Sequence, residues 1–137
     1  MKRRIGFTLV ELMVVFVLLA MMWALVTIKT KTMLISSKQN AARVEISKIS
    51  QALEAFYAAY DRYPTNEEGL AILLKPNEKF ADALLEKLRN DPWGNPYQYN
   101  NPGRNGAYDV VSYGADGREG GEGANKDLTN HDEDKAG

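Results

Sequence analysis

Two places in this 137-residue chain carry residues whose type and spacing could do chemistry. The first is Glu11, a carboxylate inside a run from Phe7 to Ile28 that is otherwise interrupted only by Thr8 and Thr27. Its chemistry would be ion pairing at low dielectric, because an unpaired acid in a bilayer costs about 2.5 to 3.5 kcal/mol. The second place is Gly114 to Asp127, rich in glycine and carrying Asp116, Glu119, Glu122, Asn125 and Asp127. Calcium takes six to eight oxygens, and glycine lets backbone carbonyls turn inward toward such an ion. The same composition also describes a disordered acidic loop, whose carboxylates repel and which buries little apolar surface. The residues by themselves leave both readings open. Phosphate cradling is disfavoured because Glu119 and Glu122 would repel the ligand, and the alternating acids of an EF-hand are missing.

Glu11 needs a helix to hold it. As a helix, residues 7–28 span roughly 33 Å at about 1.5 Å per residue, which matches a bilayer core. Lys2, Arg3 and Arg4 form a basic start, yet the apolar run exceeds the ~7 to 15 residues of a secretory signal. Met22 and Trp23 also put bulk where a signal peptidase needs small residues. A plain membrane anchor with Glu11 snorkelling toward the headgroups is the blander alternative. Lys29 and Lys31 follow the span as the basic start precedes it, so flanking charge leans only weakly toward a cytoplasmic N-terminus.

Beyond Lys29 the apolar residues become periodic. Ile46, Ile49, Leu53, Phe56 and Tyr60 form one helical stripe, with Arg43, Glu45, Lys48 and Glu54 mostly off it. Such a stripe is core. Arg62-Tyr63-Pro64 should stop this helix, since the residue before proline avoids the α region. Thr65 and Glu68 stand three apart as a capping box for a short helix through Leu70, Ile72, Leu73 and Leu74, ending near Lys75-Pro76. Phe80 to Leu88 predicts another helical turn or two through Leu84, Leu85 and Leu88. Tyr97-Gln98-Tyr99 and Tyr108 to Val111 read as two strands joined across Asn100 to Gly106. The fold class is α+β: a long N-terminal helix packed on a small head with short helices and a small antiparallel sheet.

Composition excludes several functions. The net charge is −1, and removing three positive residues at the N-terminus would leave −4, which speaks against nucleic-acid binding. There are no cysteines, so packing or a bound ion must stabilise the head without a disulfide. His131 is the only histidine, which removes a histidine-based metal triad and leaves no supported Ser-His-Asp set. A lone histidine beside an acidic tail is expected to be solvated. No enzyme is predicted.

The basic leader, Gly6, Phe7, Thr8-Leu9 and Glu11 resemble the class III signal of type IV pilin-like proteins. That resemblance implies a leader at residues 1–6, an assembly helix at 7–28 and a periplasmic head at 29–137. It implies cleavage after Gly6 by a prepilin peptidase, methylation of Phe7, and pairing of Glu11 with the Phe7 amine of a neighbouring subunit. Tyr63-Pro64-Thr65, Glu68-Gly69-Leu70, Asp91-Pro92-Trp93-Gly94-Asn95-Pro96-Tyr97 and Ser112-Tyr113-Gly114-Ala115-Asp116-Gly117 narrow the likeness. They resemble the major pseudopilin family of type II secretion, general secretion pathway protein G. Type IV pilins proper usually close their C-terminal region with a cysteine pair, which this chain lacks. Similar fibre proteins often carry a proline near position 28 and a glycine near position 20, where this chain has Ile28 and Ala20.

The resemblance implies a self-assembling fibre subunit that starts in the inner membrane and helps export folded proteins across the outer membrane. Its implied partners are further copies of the chain, minor pseudopilins, an inner-membrane assembly platform and, indirectly, an outer-membrane secretin. It also implies one Ca2+ in the C-terminal loop. The matching positions are Asp116 and Asp127 as carboxylate ligands, Asn125 where relatives often have an acid, and carbonyls near Tyr113 and Arg118. Lys126 between two ligand positions, and His131 where the family usually has tryptophan, predict a weaker site than usual. The alternatives are a type IV pilus-like or competence fibre subunit, and a monomeric membrane-tethered calcium-binding module.

Overall fold

The structure, a computed structural model, describes residues 6–132, apart from the side chain at position 28. Lys2, Arg3 and Arg4 of the expected leader lie outside the described residues. The chain divides into two units, up to Ser36 and from Ser37 onward.

One helix, α1, runs from Leu9 to Tyr60 and holds neither glycine nor proline. Its start is capped: the Glu11 N–H donates to Thr8 Oγ1 at 3.3 Å, and the Leu12 N–H donates to the Thr8 carbonyl at 3.2 Å. Thr8 thus satisfies a donor that lipid could not. In the first unit the large apolar side chains face outward, among them Phe7, Phe16, Met22 and Trp23. The stretch is long and apolar enough to cross a membrane, and none of its most apolar window is buried. Thr27 Oγ1 donates to the Trp23 carbonyl and Thr30 Oγ1 to the Val26 carbonyl, both at 2.9 Å. These hydroxyls are satisfied within the helix itself.

In the second unit the predicted stripe is the core. Ile46, Ile49, Leu53 and Phe56 are buried, Ala42 extends the stripe, and Tyr60 packs partly against it. Leu70, Leu73, Tyr97, Tyr108, Val110 and Leu128 complete the cluster. The helix stops before the predicted proline break. Asp61 takes a left-handed φ of 54° and donates its N–H to the Tyr57 carbonyl at 2.8 Å, a helix C-terminal closure. Lys79 Nζ donates to the Ala59 carbonyl there.

The capping box forms: the Glu68 N–H donates to Thr65 Oγ1 at 3.2 Å, and the Thr65 N–H to Glu68 Oε2 at 2.8 Å. It introduces a turn and then a 3-10 helix, Leu70–Leu74. The helical turns expected between Phe80 and Leu88 are absent. Leu84, Leu85 and Leu88 pack separately against the core, and the Leu85 N–H is donated to the Leu73 carbonyl at 2.9 Å. A nine-residue segment is marginal as a helix, and here packing and a tertiary hydrogen bond replace the helical ladder.

Three antiparallel strands follow: β1, Gln98–Asn100; β2, Asp109–Ser112; and β3, Leu128–Thr129, in the order β1-β2-β3. The predicted hairpin pairs Gln98 with Val111, Tyr99 with Val110 and Asn100 with Asp109. The third strand pairs Val111 with Thr129 and Ser112 with Leu128. All four residues of β2 are buried.

Arg62 grips Glu68 with both guanidinium arms, at 2.7 and 2.9 Å. That hydrogen bonding, first from Arg62 and then from the Thr65 backbone, lowers the Glu68 carboxyl from 4.5 to about 2. A folded value below the unfolded one means the contribution is complete above pH 4.5 and fades as pH falls toward 2. Glu68→Gln should therefore lower the urea midpoint at pH 6 and narrow the difference from the unaltered chain as the pH is taken through that window. A midpoint difference that stays constant with pH would count against the assignment.

Candidate functional site

The residues singled out at the N-terminus sit in the first unit. Phe7 is 78% exposed and Glu11 is exposed in the first turn of α1. A carboxylate there also faces the positive end of the helix macrodipole. A Cβ on Gly6 would meet nothing within 4 Å, so the fold itself does not require glycine at that position.

The second group lies in the head, where the chain runs from β2 through two short 3-10 helices, Gly114–Asp116 and Gly123–Asn125, to β3. Glycines make this path possible at two crowded points. Gly114 has φ of 65°, and a Cβ there would come within 2.8 Å of the Ala124 carbonyl oxygen. Gly121 has φ of 110°, and a Cβ would meet Asn125 at 2.8 Å. No other residue type fits either place without moving the chain.

Among the predicted ligands, Asp127 is held by the Gly120 N–H, which donates to its Oδ2 at 2.8 Å. Its Oδ1 is buried with no hydrogen-bond partner. Asp116 Oδ1 accepts the Arg118 N–H at 3.2 Å. Tyr113 and Asp127 line one hollow of about 190 Å³ together with Arg104, Asp109 and Glu119. Asn125 stands against Gly114 and Gly121. No cluster of three or more acidic, histidine or cysteine side chains suited to a metal occurs among the described residues. Any ion here would therefore draw much of its shell from carbonyls, the donor chemistry that calcium accepts.

The Asp-Pro-Trp-Gly segment has a specific task beside this loop. Asp91 is 4% exposed. Its Oδ1 accepts the N–H groups of Trp93 at 3.1 Å and Asn95 at 2.8 Å, and its Oδ2 accepts the Ser112 hydroxyl at 2.7 Å. One buried carboxylate thus ties this segment to the central strand. The knot leaves no local signal in the sequence, because Ser112 lies 21 residues from Asp91.

His131 is not the solvated side chain expected. It is mostly buried, and its Nε2 lies 2.9 Å from Asp109 Oδ1 and 3.1 Å from the Tyr108 carbonyl. The reason is β3, which the sequence did not announce and which returns the tail to β2. Two acceptors face Nε2, and the Asn130 Nδ2 amide lies 3.4 Å from it. The ring forms part of a structural anchor.

A first half of α1 that is exposed and apolar, with its single acid in the first turn, and a small head carrying a glycine loop, define a subunit built on an N-terminal anchor. Residues 1–27 match the family described as the prokaryotic N-terminal methylation motif. Residues 30–131 match the family described as type II secretion system protein G. The chain is 39% identical to type II secretion system core protein G of Pseudomonas aeruginosa over 138 aligned residues, covering 96% of this chain and 97% of that one. The corresponding protein of Vibrio cholerae is 36% identical, covering 95% of this chain and 93% of its own. The crystal structure of the major pseudopilin from the type 2 secretion system of enterohaemorrhagic Escherichia coli superposes with a TM-score of 0.58 at 27% identity. It covers 69% of this chain and 87% of its own. The chain belongs to the type II secretion system protein G family: it is a pseudopilin, a structural subunit of a secretion pseudopilus.

Replacing Asp91 with alanine leaves a buried hydroxyl and two backbone donors without their acceptor. The expected loss is about 3 kcal/mol of unfolding free energy by urea titration. A loss below about 0.5 kcal/mol, the range of surface substitutions, would show that the knot does not matter.

Proposed function

We propose that residues 1–6 are removed after Gly6 by a prepilin peptidase, and that the new Phe7 amine is methylated. The observation that carries this reading is Gly6 itself. Nothing among the described residues approaches it, so they do not demand glycine there, whereas a peptidase cutting beside it would. Phe7 and Glu11 are the assembly residues. In the bilayer they begin a single span with the head in the periplasm and the N-terminus toward the cytoplasm of the inner membrane.

On leaving the membrane, copies of the chain stack with their apolar helices together. Between such helices the Phe7 ammonium of one copy meets the Glu11 carboxylate of its neighbour. Each offsets part of the other's desolvation, and a copy out of step leaves Glu11 unpaired. The pair therefore sets register. Minor pseudopilins, the inner-membrane platform and indirectly the outer-membrane secretin are the further partners, and exported folded proteins are what the fibre moves.

The head holds Ca2+ through the carboxylates of Asp116 and Asp127, with Asn125 and the carbonyls of Tyr113 and Arg118. The buried, unpartnered Asp127 Oδ1 fits this reading, because a buried carboxylate oxygen without a donor calls for a cation. Calcium supplies a hard positive centre for those oxygens; its role is to order the loop.

Intact mass of the chain from native membranes tests the first part. A product starting at Phe7 and heavier by one methyl group is expected, and a chain retaining Met1 to Gly6 overturns it. Glu11→Ala should give the same processed mass but few cross-linked multimers, and normal multimer yield would sink the register role.

For the metal, thermal unfolding of the unaltered chain should shift upward with calcium. The shift corresponds to about 2.7 kcal/mol when the ion is at ~100 times its dissociation constant. Asp127→Asn should remove most of that shift. Identical melting of the unaltered chain with and without chelator would refute the calcium reading.

A further inference from the structure

The glycine loop is gripped near both ends by neutral side-chain amides from distant parts of the chain. Asn95 Nδ2 donates to the Gly114 carbonyl at 2.9 Å, and Gln39 Nε2 donates to the Gly123 carbonyl at 2.8 Å. These two glycines open the two 3-10 helices of the loop. Each amide therefore fixes one of the loop's turns.

Asn95 is held firmly enough to do this. Its own N–H donates to Asp91 Oδ1, and the other oxygen of that buried carboxylate takes the Ser112 hydroxyl. On its far side the Asn95 amide lies against Gly117, where a Cβ would come within 3.2 Å of Asn95 Oδ1. Gly117 has φ of 63° and ends the first 3-10 helix. Gln39 projects from α1 one turn before Ala42, which is fully buried in the core. Both donors are uncharged, so they can orient carbonyls beside a cation without repelling it, as lysine or arginine there would.

A segment with five glycines at positive φ between 114 and 123 has much conformational freedom to lose. An ion that had to order it unaided would bind weakly, whereas a loop already shaped loses less on binding. We propose that Asn95 and Gln39 are positioning residues that hold the loop in its cation-binding shape before calcium arrives. This rests on the calcium reading given above. Their amides bond to the carbonyls of Gly114 and Gly123 and so fix the orientation of those two peptide units. The carbonyls of Tyr113 and Arg118 and the carboxylates of Asp116 and Asp127 remain for the ion. The arrangement is the counterpart, for a carbonyl-rich site, of the outer partners that orient metal-bound side chains.

The test uses the detergent-solubilised full chain and calcium chloride as the probe. Asn95→Ala and Gln39→Leu are compared with the unaltered chain by calorimetric titration and by amide hydrogen exchange in chelator. Each substitution is expected to weaken calcium binding by about tenfold or more. Each should also speed exchange at residues 117–125 without calcium, while the β2 amides stay as protected as before. Gln39→Leu lies on an independent element, so it decides the matter if Asn95→Ala does not fold. Unchanged affinity and unchanged loop exchange would overturn the proposal. If the unaltered chain binds no calcium, the cation reading fails on its own. The exchange comparison then decides the clamps, and equal exchange overturns them.

Discussion

The first half of α1 is covered by nothing among the described residues, and its exposed apolar surface is the constraint that any environment of this unit must meet. From Leu9 to Val26 its large apolar side chains are exposed, so lipid or other copies of the helix must surround them. Moving such a helix from lipid into a bundle gains no hydrophobic free energy, because lipid tails are as apolar as leucine. Packing and polar contacts must then decide how copies associate. A lone carboxylate gains influence in that setting, since it is the feature on this surface whose cost depends strongly on what lies opposite. Glu11 sits in the first turn, with Thr8 already capping the backbone there. The cap is made by the Thr8 hydroxyl and the Glu11 backbone N–H, and among the described residues no hydrogen bond uses the Glu11 carboxylate.

The head solves a different problem, stability without cysteine. Its apolar core is one cluster, and buried polar groups fix the segments around it. Burial pushes the Tyr108 hydroxyl up to about 12 and, with the same first cause, Tyr99 also to about 12. Both remain neutral donors over the physiological range. Tyr108 and Tyr63 converge on Glu54 of α1, while Tyr99 donates to the Pro64 carbonyl at 2.8 Å. Together with the Asp91 knot, these bonds tie the helix, the post-helix turn and the sheet to one another.

Much of this was legible in the sequence because it depends on short-range rules. The stripe from Ile46 to Phe56 has helical spacing, and Thr65 with Glu68 has the capping interval; both appear as read. The first hairpin was announced by aromatic and β-branched runs. What failed was non-local. Leu84, Leu85 and Leu88 have the spacing of helical turns, but they pack on the core one by one, and the Leu85 N–H donates to the distant Leu73 carbonyl. β3 has two residues, too few for any periodicity, and exists only because β2 lies beside it. Asn95 and Gln39 left no local signal either, since an amide's use depends on which carbonyl reaches it. Thr8 and Glu11 also stand at the capping interval, and the Thr8 half of that cap forms.

That same short strand settles how the loop is built. Ser112 pairs with Leu128, so the sheet brings together the two ends of everything between them. Asp127 immediately precedes β3, whose Leu128 is fully buried. Its backbone is therefore anchored by the core, whereas Asp116 depends on the glycine turns. His131 reinforces the anchored end: its ring fills the space where a Cβ on Gly106 would come within 2.7 Å, and it pairs with Asp109. A half-buried histidine thus holds the tail to β2. The cost of closing the loop falls on the sheet and the tail anchor, and only the interior between Gly114 and Asn125 remains to be ordered. A loop whose ends are fixed by strand pairing needs few further restraints, and the amides of Asn95 and Gln39 are placed where those restraints are required.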